Sequence, residues 1–229
     1  MAPLKARSRK SVSEPPSFNE ENGLNARGYR LIAGVDEAGR GALAGPVVAA
    51  AVILPQCPDF PWLKSVRDSK EISPARRESL FDLIKQEAIA VSVGIIAPQT
   101  IDVIGILNAT KIAMCHAVEQ LSHPPDFLLI DYVRLPQLRI LQKSIIRGDK
   151  LCISISCASI IAKVTRDRIM VELDQLHPGY GLANHKGYGT GEHVNCLRQR
   201  GPSPIHRHSF APVRESREIG KSNNKFTNT

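Results

Sequence analysis

The chain has 229 residues, 42% of them hydrophobic, and a formal net charge of +8. That length and apolar content suit one globular domain with its own core, and the absence of any run of about 18 apolar residues argues against a membrane-spanning helix. The five cysteines form no Cys-x-x-Cys pair, which disfavours a disulfide framework or a cysteine-rich zinc site and favours a reducing cytoplasm, while the positive charge favours polyanionic partners.

The first predicted element is a strand over 31–35, which follows a polar N-terminal segment. Residues 1–28 contain few large apolar side chains, so we predict a disordered basic and polar arm there. Turns rich in glycine separate the first strand from a second, valine- and alanine-rich strand over 47–54. Residues 216–229 are polar and are predicted to form a flexible tail, which leaves 29–215 as the folded domain.

Helices and strands alternate through the rest of the domain. Ser73 followed by Pro74 predicts a helix start, because serine caps a helix and proline fits its first turn. The spacing of apolar residues predicts further strands over 91–95, 127–130 and 144–147, and further helices over 106–121 and 157–176. This order of elements indicates an α/β fold with a mixed sheet.

Acidic residues follow three of the predicted strands. Asp36, Asp131 and Asp149 each come at the C-terminal end of an apolar strand, and Glu37 follows the first of them. A single acid at such a place is more often a turn or cap residue. Three of them at the edge where open α/β sheets form their sites favour a metal centre instead. Hard oxygen ligands select Mg²⁺ or Mn²⁺, and two such ions hydrolyse phosphodiesters, with Asp36 as the candidate shared ligand.

Glu37 sets a geometric condition on this metal centre. Adjacent residues of a regular strand point to opposite faces of the sheet. We therefore expect the strand to end, bulge or twist at Asp36 and Glu37, with the glycines that follow permitting the turn.

A glycine loop, made of Gly39, Arg40 and Gly41, directly follows the first two acids. Alone, this pattern indicates a tight turn with a solvated arginine. Beside a metal centre, glycines let the backbone approach a sugar, where its amide and carbonyl groups read a 2′-hydroxyl. Ser69 and Lys70 lie in the loop before the helix at Pro74, as a cap and a surface lysine or as contacts to phosphates.

Basic residues also occur in two later segments. Ser159 and Lys163 lie four residues apart on one helix, followed by Arg166 and Arg168, and form either a solvated face or a phosphate-binding face. The segment 185–193 is rich in histidine and glycine but lacks the spacing of a zinc site. We therefore predict that Lys186 contacts phosphate and that Tyr188 stacks on a sugar or base.

Several motifs together resemble the type 2 ribonuclease H family. They occur in order from about residue 30 to 213: GVDEAGRG at 34–41 with GPVV at 45–48, DSK at 68–70, GD at 148–149 with ASIIAKVTRD at 158–167, HKGYGT at 185–190 and PIH at 204–206. A chain of matches in this order is far more specific than any single motif. The resemblance implies an RNase H-like fold with a mixed five-stranded sheet flanked by helices, plus a helical C-terminal segment.

The same resemblance implies a function. It implies an endonuclease that hydrolyses the RNA strand of RNA–DNA hybrids and cuts at single ribonucleotides in duplex DNA, with two Mg²⁺ or Mn²⁺ ions, leaving 5′-phosphate and 3′-hydroxyl ends. The implied catalytic and metal-binding residues are the acid cluster (Asp36, Glu37, Asp131 and Asp149). The glycine loop and Tyr188 are implied to recognise the junction between a ribonucleotide and the next deoxyribonucleotide. We expect a cytoplasmic protein that acts as a monomer.

Two other functions remain open, and one residue departs from the family pattern. A two-metal nuclease or resolvase of the same fold would act on DNA, although the glycine loop and Tyr188 argue against it. A non-catalytic nucleic-acid-binding module would not need all four acids. Where the family usually has glycine after the third acid, this chain has Tyr132, which would narrow the site or stack on substrate.

Overall fold

The computed structural model describes residues 15–56 and 58–217, and it has a five-stranded mixed sheet at its centre. The strands are β1 (Ile32–Ala38), β2 (Val47–Ile53), β3 (Ala90–Ile96), β4 (Phe127–Asp131) and β5 (Leu141–Ile145). Their order across the sheet is β3-β2-β1-β4-β5. β1, β2 and β3 pair antiparallel, whereas β4 is parallel to both β1 and β5. The predicted mixed five-stranded sheet is confirmed.

Helices surround this sheet and continue into the C-terminal segment. They are α1 (Asn19–Ala26), α2 (Pro74–Glu87), α3 (Pro98–Ile104), α4 (Ile106–Glu119), α5 (Gly148–Leu151), α6 (Ile153–Leu176), α7 (Leu182–His185) and α8 (Gly191–Arg200), with a 3-10 helix at Pro61–Ser65. Residues 211–217 are also helical. The predicted helical C-terminal segment is confirmed, and within the described residues no helix is long and apolar enough to cross a membrane.

The two faces of the sheet are both covered by helices. α4 covers one face and α6 with α2 the other, which explains why every residue of β2 is buried. At Gly34 a side chain is excluded, because a Cβ there would lie 2.1 Å from the backbone carbonyl carbon of Ser154. Glycine thus lets the start of α6 pack directly on the middle of β1.

Three elements differ from the sequence-based expectations. β1 does not end or bulge at Asp36 and Glu37 but stays paired with β2 in regular register to Ala38. β5 ends at Ile145, so Asp149 belongs to the first turn of α5 rather than to a strand end. The separate helix α3 was not expected, because Pro98 and Gly105 bound a segment too short for a clear apolar period.

The predicted disordered arm over 1–28 is wrong for its second half. α1 packs against the fold through Leu24, which is buried with Ile32 and Phe127. Glu21 is also buried and accepts a hydrogen bond from the amide of Ser154 (2.9 Å), so it caps the N-terminus of α6. The polar composition hid this helix because its anchoring residues are few. Residues 1–14 and 218–229, which include the rest of the arm and most of the predicted tail, lie outside the described residues.

The packing of α1 predicts a measurable contribution to stability. Leu24→Ala should lower the free energy of unfolding by about 2–4 kcal/mol, because it removes buried methyl groups and leaves a cavity. Asn22→Ala, on the exposed side of the same helix, is the matched control and should change it by less than about 0.5 kcal/mol. Urea unfolding of both variants measures these changes in the free energy of unfolding. Equal unfolding midpoints for the two variants would show that the packing of α1 does not stabilise the domain.

Candidate active site

The acid cluster meets at one edge of the sheet. β1 and β4 are adjacent and parallel, with Val35 opposite Ile130, so Asp36 and Asp131 follow side by side. Asp149 reaches the same edge from α5, and the amide of Gly148 donates to the Asp131 carboxylate (2.7 Å). The topology therefore brings together acids that are separated by more than a hundred positions in the chain.

Burial and mutual repulsion disfavour ionisation of this cluster. Burial, and then the charges of Glu37 and Asp131, raise the pKa of Asp36 well above its ordinary value, although hydrogen bonds from Ser159 and the Glu37 amide oppose the shift. Burial likewise raises the pKa of Asp131 and of Asp149. A divalent cation would reverse these shifts by neutralising the carboxylates.

The carboxylates point to hydrogen-bond partners of their own. Asp36 accepts from the Glu37 amide (2.7 Å), and Glu37 forms an ion pair with Arg40 (3.3 Å). Within the described residues no three acidic, histidine or cysteine side chains form a single ready-made coordination sphere. Glu37, if it is to reach an ion, must turn from Arg40. The donor set, all carboxylate oxygen, fits Mg²⁺ or Mn²⁺.

A cationic loop lies against the acids. Burial alone would lower the pKa of Lys70, but the charges of Asp68, Asp149 and Asp36 outweigh it and raise that pKa. Next to Lys70, the hydroxyl of Ser69 lies 3.0 Å from that of Ser159 on α6, with both residues buried. The loop before α2 is thus joined to α6 at the acid cluster.

Two cavities that share lining residues contain all of the predicted contact residues. The first, of about 340 Å³, is lined by Glu37, Ala38, the glycine loop, Ser69, Lys70, Ser159, Lys163 and Tyr188. The second, of about 430 Å³, shares Lys163 and Tyr188 and adds Lys186 and Arg77. Lys163 pairs with Asp167 (2.7 Å), and burial lowers its pKa. Every predicted contact residue thus lines one of these two cavities, which together make up the groove beside the acids.

Two buried arginines hold the loops of this groove, and sequence reasoning missed both roles. Arg166, expected on a basic helix face, is fully buried and donates to the carbonyls of Ala44, Pro46 and Lys186 (2.9–3.1 Å). Arg207 donates to the carbonyls of Arg40 (2.9 Å) and Gly45 (3.0 Å). The glycine loop leaves room for this arrangement, because a Cβ at Gly39 (φ 91°) would lie 1.9 Å from Arg166 Nε.

Tyr188 lies over the cations of α6. Its ring centroid is 5.3 Å from the Arg166 guanidinium carbon and 5.7 Å from the Lys163 ammonium nitrogen. Its residue forms a β-bridge with Ala42, immediately after the glycine loop. The ring and the loop therefore border the same cavity.

Two hydrogen-bonded histidines hold the backbone carbonyl of Tyr188. His206 Nδ1 accepts from the Ser203 amide (3.0 Å), so its Nε2 carries the proton and donates to His193 Nε2 (3.0 Å). That leaves the Nδ1 proton of His193 to donate to the carbonyl of Tyr188 (2.9 Å). Burial lowers the pKa of His193, and it lowers that of His206 to about 4, so both stay neutral at pH 7. The two histidines fix the backbone at Tyr188.

Comparisons with known proteins point to one family. Residues 33–213 match the family model described as Ribonuclease HII. The chain is 55% identical to Ribonuclease HII of Dehalococcoides mccartyi strain BAV1 over 87% of this chain and 94% of that protein. It is 55% identical to Ribonuclease HII of Geobacter sulfurreducens over 91% of this chain and 94% of that one. The fold resembles the crystal structure of ribonuclease H2 from Pyrococcus horikoshii (TM-score 0.70, 27% identity, covering 84% and 99% of the two chains).

Proposed function

Because this chain belongs to the ribonuclease HII family, whose members are metal-dependent endoribonucleases, we propose that it cuts duplex DNA at single embedded ribonucleotides as well as the RNA strand of RNA–DNA hybrids. The observation that carries the proposal is the position of the acid cluster beside a cavity bordered by the glycine loop and Tyr188. Hydrolysis and sugar recognition then occur at one place. The protein would work as a monomer in the cytoplasm.

The acid cluster supplies the ligands for Mg²⁺ or Mn²⁺. When bound, two such ions would activate the attacking water and stabilise the leaving oxygen, giving 5′-phosphate and 3′-hydroxyl ends. Asp36 occupies the central place for a shared ligand, because Glu37 adjoins it in the chain and Asp131 adjoins it across the sheet. If the Glu37 carboxylate rotated toward a bound metal ion, its ion pair with Arg40 would break, and Arg40 would be free to contact a substrate phosphate.

Contacts to phosphates come from residues on both sides of the acids. Lys70, Lys163 and the paired hydroxyls of Ser69 and Ser159 line the first cavity, and Lys186 lines the second. Such contacts set the register of the duplex but carry no information about its sugars. Sugar recognition therefore falls to the glycine loop, whose backbone reads the 2′-hydroxyl, and to Tyr188, whose ring packs on the following deoxyribose.

This division of roles predicts the effect of removing the ring of Tyr188. Tyr188→Ala should slow single-turnover cleavage of a single embedded ribonucleotide by about 5- to 150-fold, because stacking contributes about 1–3 kcal/mol. Affinity at moderate salt should change little, since the phosphate contacts remain. Tyr188→Phe keeps the ring and should cut at close to the wild-type rate. If Tyr188→Ala keeps the wild-type preference for the junction, Tyr188 is a packing residue only.

One cleavage experiment distinguishes the proposal from its alternatives. Three labelled duplexes are compared with Mg²⁺ or Mn²⁺: one of DNA only, one of DNA with a single ribonucleotide, and one RNA–DNA hybrid. Cutting of the second and third alone, with 3′-hydroxyl ends, supports the proposal. Cutting of DNA alone would indicate a DNA nuclease of the same fold, and binding without cutting would indicate a non-catalytic module.

A further inference from the structure

Tyr132 adopts a backbone conformation that residues with a side chain seldom take. Its φ is 61°, and among the described residues the other non-glycine positions with positive φ are Arg147 and Lys186. Each of the three lies within two residues of Asp131, Asp149 or Tyr188. Residues held in such conformations persist where their surroundings fix them, and they concentrate at functional sites.

Two hydrogen bonds hold the backbone of Tyr132 in this conformation. Its amide donates to the carbonyl of Ile145 (3.0 Å), and the next amide, of Val133, donates back to the carbonyl of Asp131 (2.7 Å). Val133 is buried and anchors the chain beyond. With the backbone held on both sides, the ring projects outward and 60% of the residue is exposed.

One arginine lies close to this exposed ring, and a second follows the strand residue to which Tyr132 is hydrogen-bonded. The Arg40 guanidinium carbon lies 6.0 Å from the ring centroid, so Arg40 borders both Tyr132 and the first cavity. Arg147 is exposed two residues beyond Ile145, whose carbonyl accepts the hydrogen bond from the Tyr132 amide. An exposed aromatic ring with arginines nearby is the composition of surfaces that bind nucleic-acid strands.

The sheet places Tyr132 and Tyr188 on opposite sides of the acids. Tyr188 bridges to Ala42 in the connection between β1 and β2, whereas Tyr132 directly follows β4. β2 and β4 flank β1 on its two sides, and Asp36 lies on β1. A nucleic-acid strand that passes Tyr188 and then the acids would therefore continue toward Tyr132.

We propose that Tyr132 is a second aromatic contact to the cleaved strand. Its ring packs against a sugar on the side of the scissile phosphate opposite to that of Tyr188, and Arg40 and Arg147 contact the neighbouring phosphates. This inference rests on the proposed function, and it identifies a substrate-binding residue at a position where a glycine would relieve the backbone conformation.

Three substitutions separate the ring from the backbone. Tyr132→Gly removes the ring and suits the positive φ, so its melting temperature should equal or exceed that of the wild type. Tyr132→Leu removes the ring but keeps bulk and a Cβ, and Tyr132→Phe keeps the ring. Single-ribonucleotide duplexes should be cleaved with a kcat/KM about 5- to 30-fold lower by the first two, mainly through KM, and at close to the wild-type value by the third.

Shortened substrates locate the contact. The duplex is trimmed one base pair at a time from each side of the ribonucleotide, and the ratio of wild-type to Tyr132→Gly kcat/KM is measured at each length. The ratio should fall to one when the contacted nucleotide is lost, and only for trimming from one side. If this kcat/KM ratio is one on the longest duplex, or if it does not change with duplex length, the inference about Tyr132 is wrong, whereas the proposed function is unaffected. A wild-type protein that cuts no such duplex contradicts the proposed function as well.

Discussion

Asp36→Asn should slow cleavage of both hybrid and single-ribonucleotide duplexes by at least about 1,000-fold, because losing a shared ligand removes several kcal/mol of transition-state stabilisation. Asparagine keeps the size and hydrogen-bonding capacity of the side chain but not its charge. Single-turnover cleavage in saturating Mg²⁺ and in Mn²⁺ measures the effect. Asp82→Asn, which removes an exposed acid on α2, is the matched control.

The same variant should be no less stable than the wild type when divalent cations are absent. The folded-state pKa values of Asp36, Asp131 and Asp149 are raised, so between the unfolded and folded values the folded protein binds more protons. The free energy of unfolding of the metal-free wild type therefore falls as pH rises above about 4. Asp36→Asn lacks the contribution of Asp36 to this fall, because asparagine does not ionise.

Adding Mg²⁺ or Mn²⁺ should reverse the order of the two proteins. Ions bind the folded wild type and raise its melting temperature with concentration, whereas Asp36→Asn, with one ligand fewer, should respond less. Thermal unfolding at pH 8 with and without the ions tests this. Cleavage by Asp36→Asn within tenfold of the wild type, or an equal response of both melting temperatures, would contradict the assignment of Asp36 as a shared ligand.

Local signals in the sequence predicted most of the framework. The apolar runs of β1, β2 and β4 are continuous because both faces of the sheet are covered, and such runs are visible without knowledge of the fold. The start of α2 was equally clear, since Ser73 caps it by accepting from the Arg76 amide (3.3 Å). Where local chemistry alone decides the structure, the sequence is sufficient.

Long-range contacts were beyond such reasoning. α1 carries a weak apolar pattern. It is held by the packing of Leu24 and by the hydrogen bond that the Ser154 amide, at the start of α6 and more than a hundred residues away, donates to Glu21. The roles of His193 and His206 depend in the same way on a hydrogen bond between two buried rings. Their spacing argues against a zinc site, but nothing in it distinguishes a buried, hydrogen-bonded histidine from a solvated one.

The orientation of Glu37 shows a different limit. Because adjacent residues of a strand point to opposite faces, the sequence predicted that β1 would end, bulge or twist at Asp36 and Glu37. The strand instead stays regular, and the charge of Glu37 still acts on both Asp36 and Asp131 from the other side of the strand end. A strand end is open enough for a long side chain to reach around, which an alternation rule does not capture.

Arg166 combines these long-range contacts in one side chain, and its replacement should have the second largest effect. Its guanidinium joins α6 to the connection between β1 and β2 through Ala44 and Pro46, and to the segment before Tyr188 through Lys186. It also packs against the ring of Tyr188. Within residues 15–56 and 58–217 no carboxylate accepts a hydrogen bond from Arg166, so three backbone carbonyls stabilise its buried charge. The planar guanidinium with its fixed donors matches these three acceptors, whereas an ammonium group does not.

Arg166→Lys should therefore lower the free energy of unfolding by about 3 kcal/mol or more, since buried carbonyls are left unpaired around a buried charge. Cleavage should fall by about 100-fold or more, because a displacement of about 1 Å between the glycine loop and Tyr188 disturbs the position of the scissile phosphate.

Arg168→Lys is the matched control for stability. Arg168 lies two residues further along α6 and forms an exposed ion pair with Glu78, so this substitution should change the free energy of unfolding by less than about 1 kcal/mol. The loss of cleavage in Arg166→Lys should appear in kcat at temperatures where the variant is fully folded, as circular dichroism verifies, and affinity should change less because the phosphate contacts from Lys70 and Lys163 remain. A variant with the stability and kcat of the wild type would show that the two loops hold their positions without the buried guanidinium.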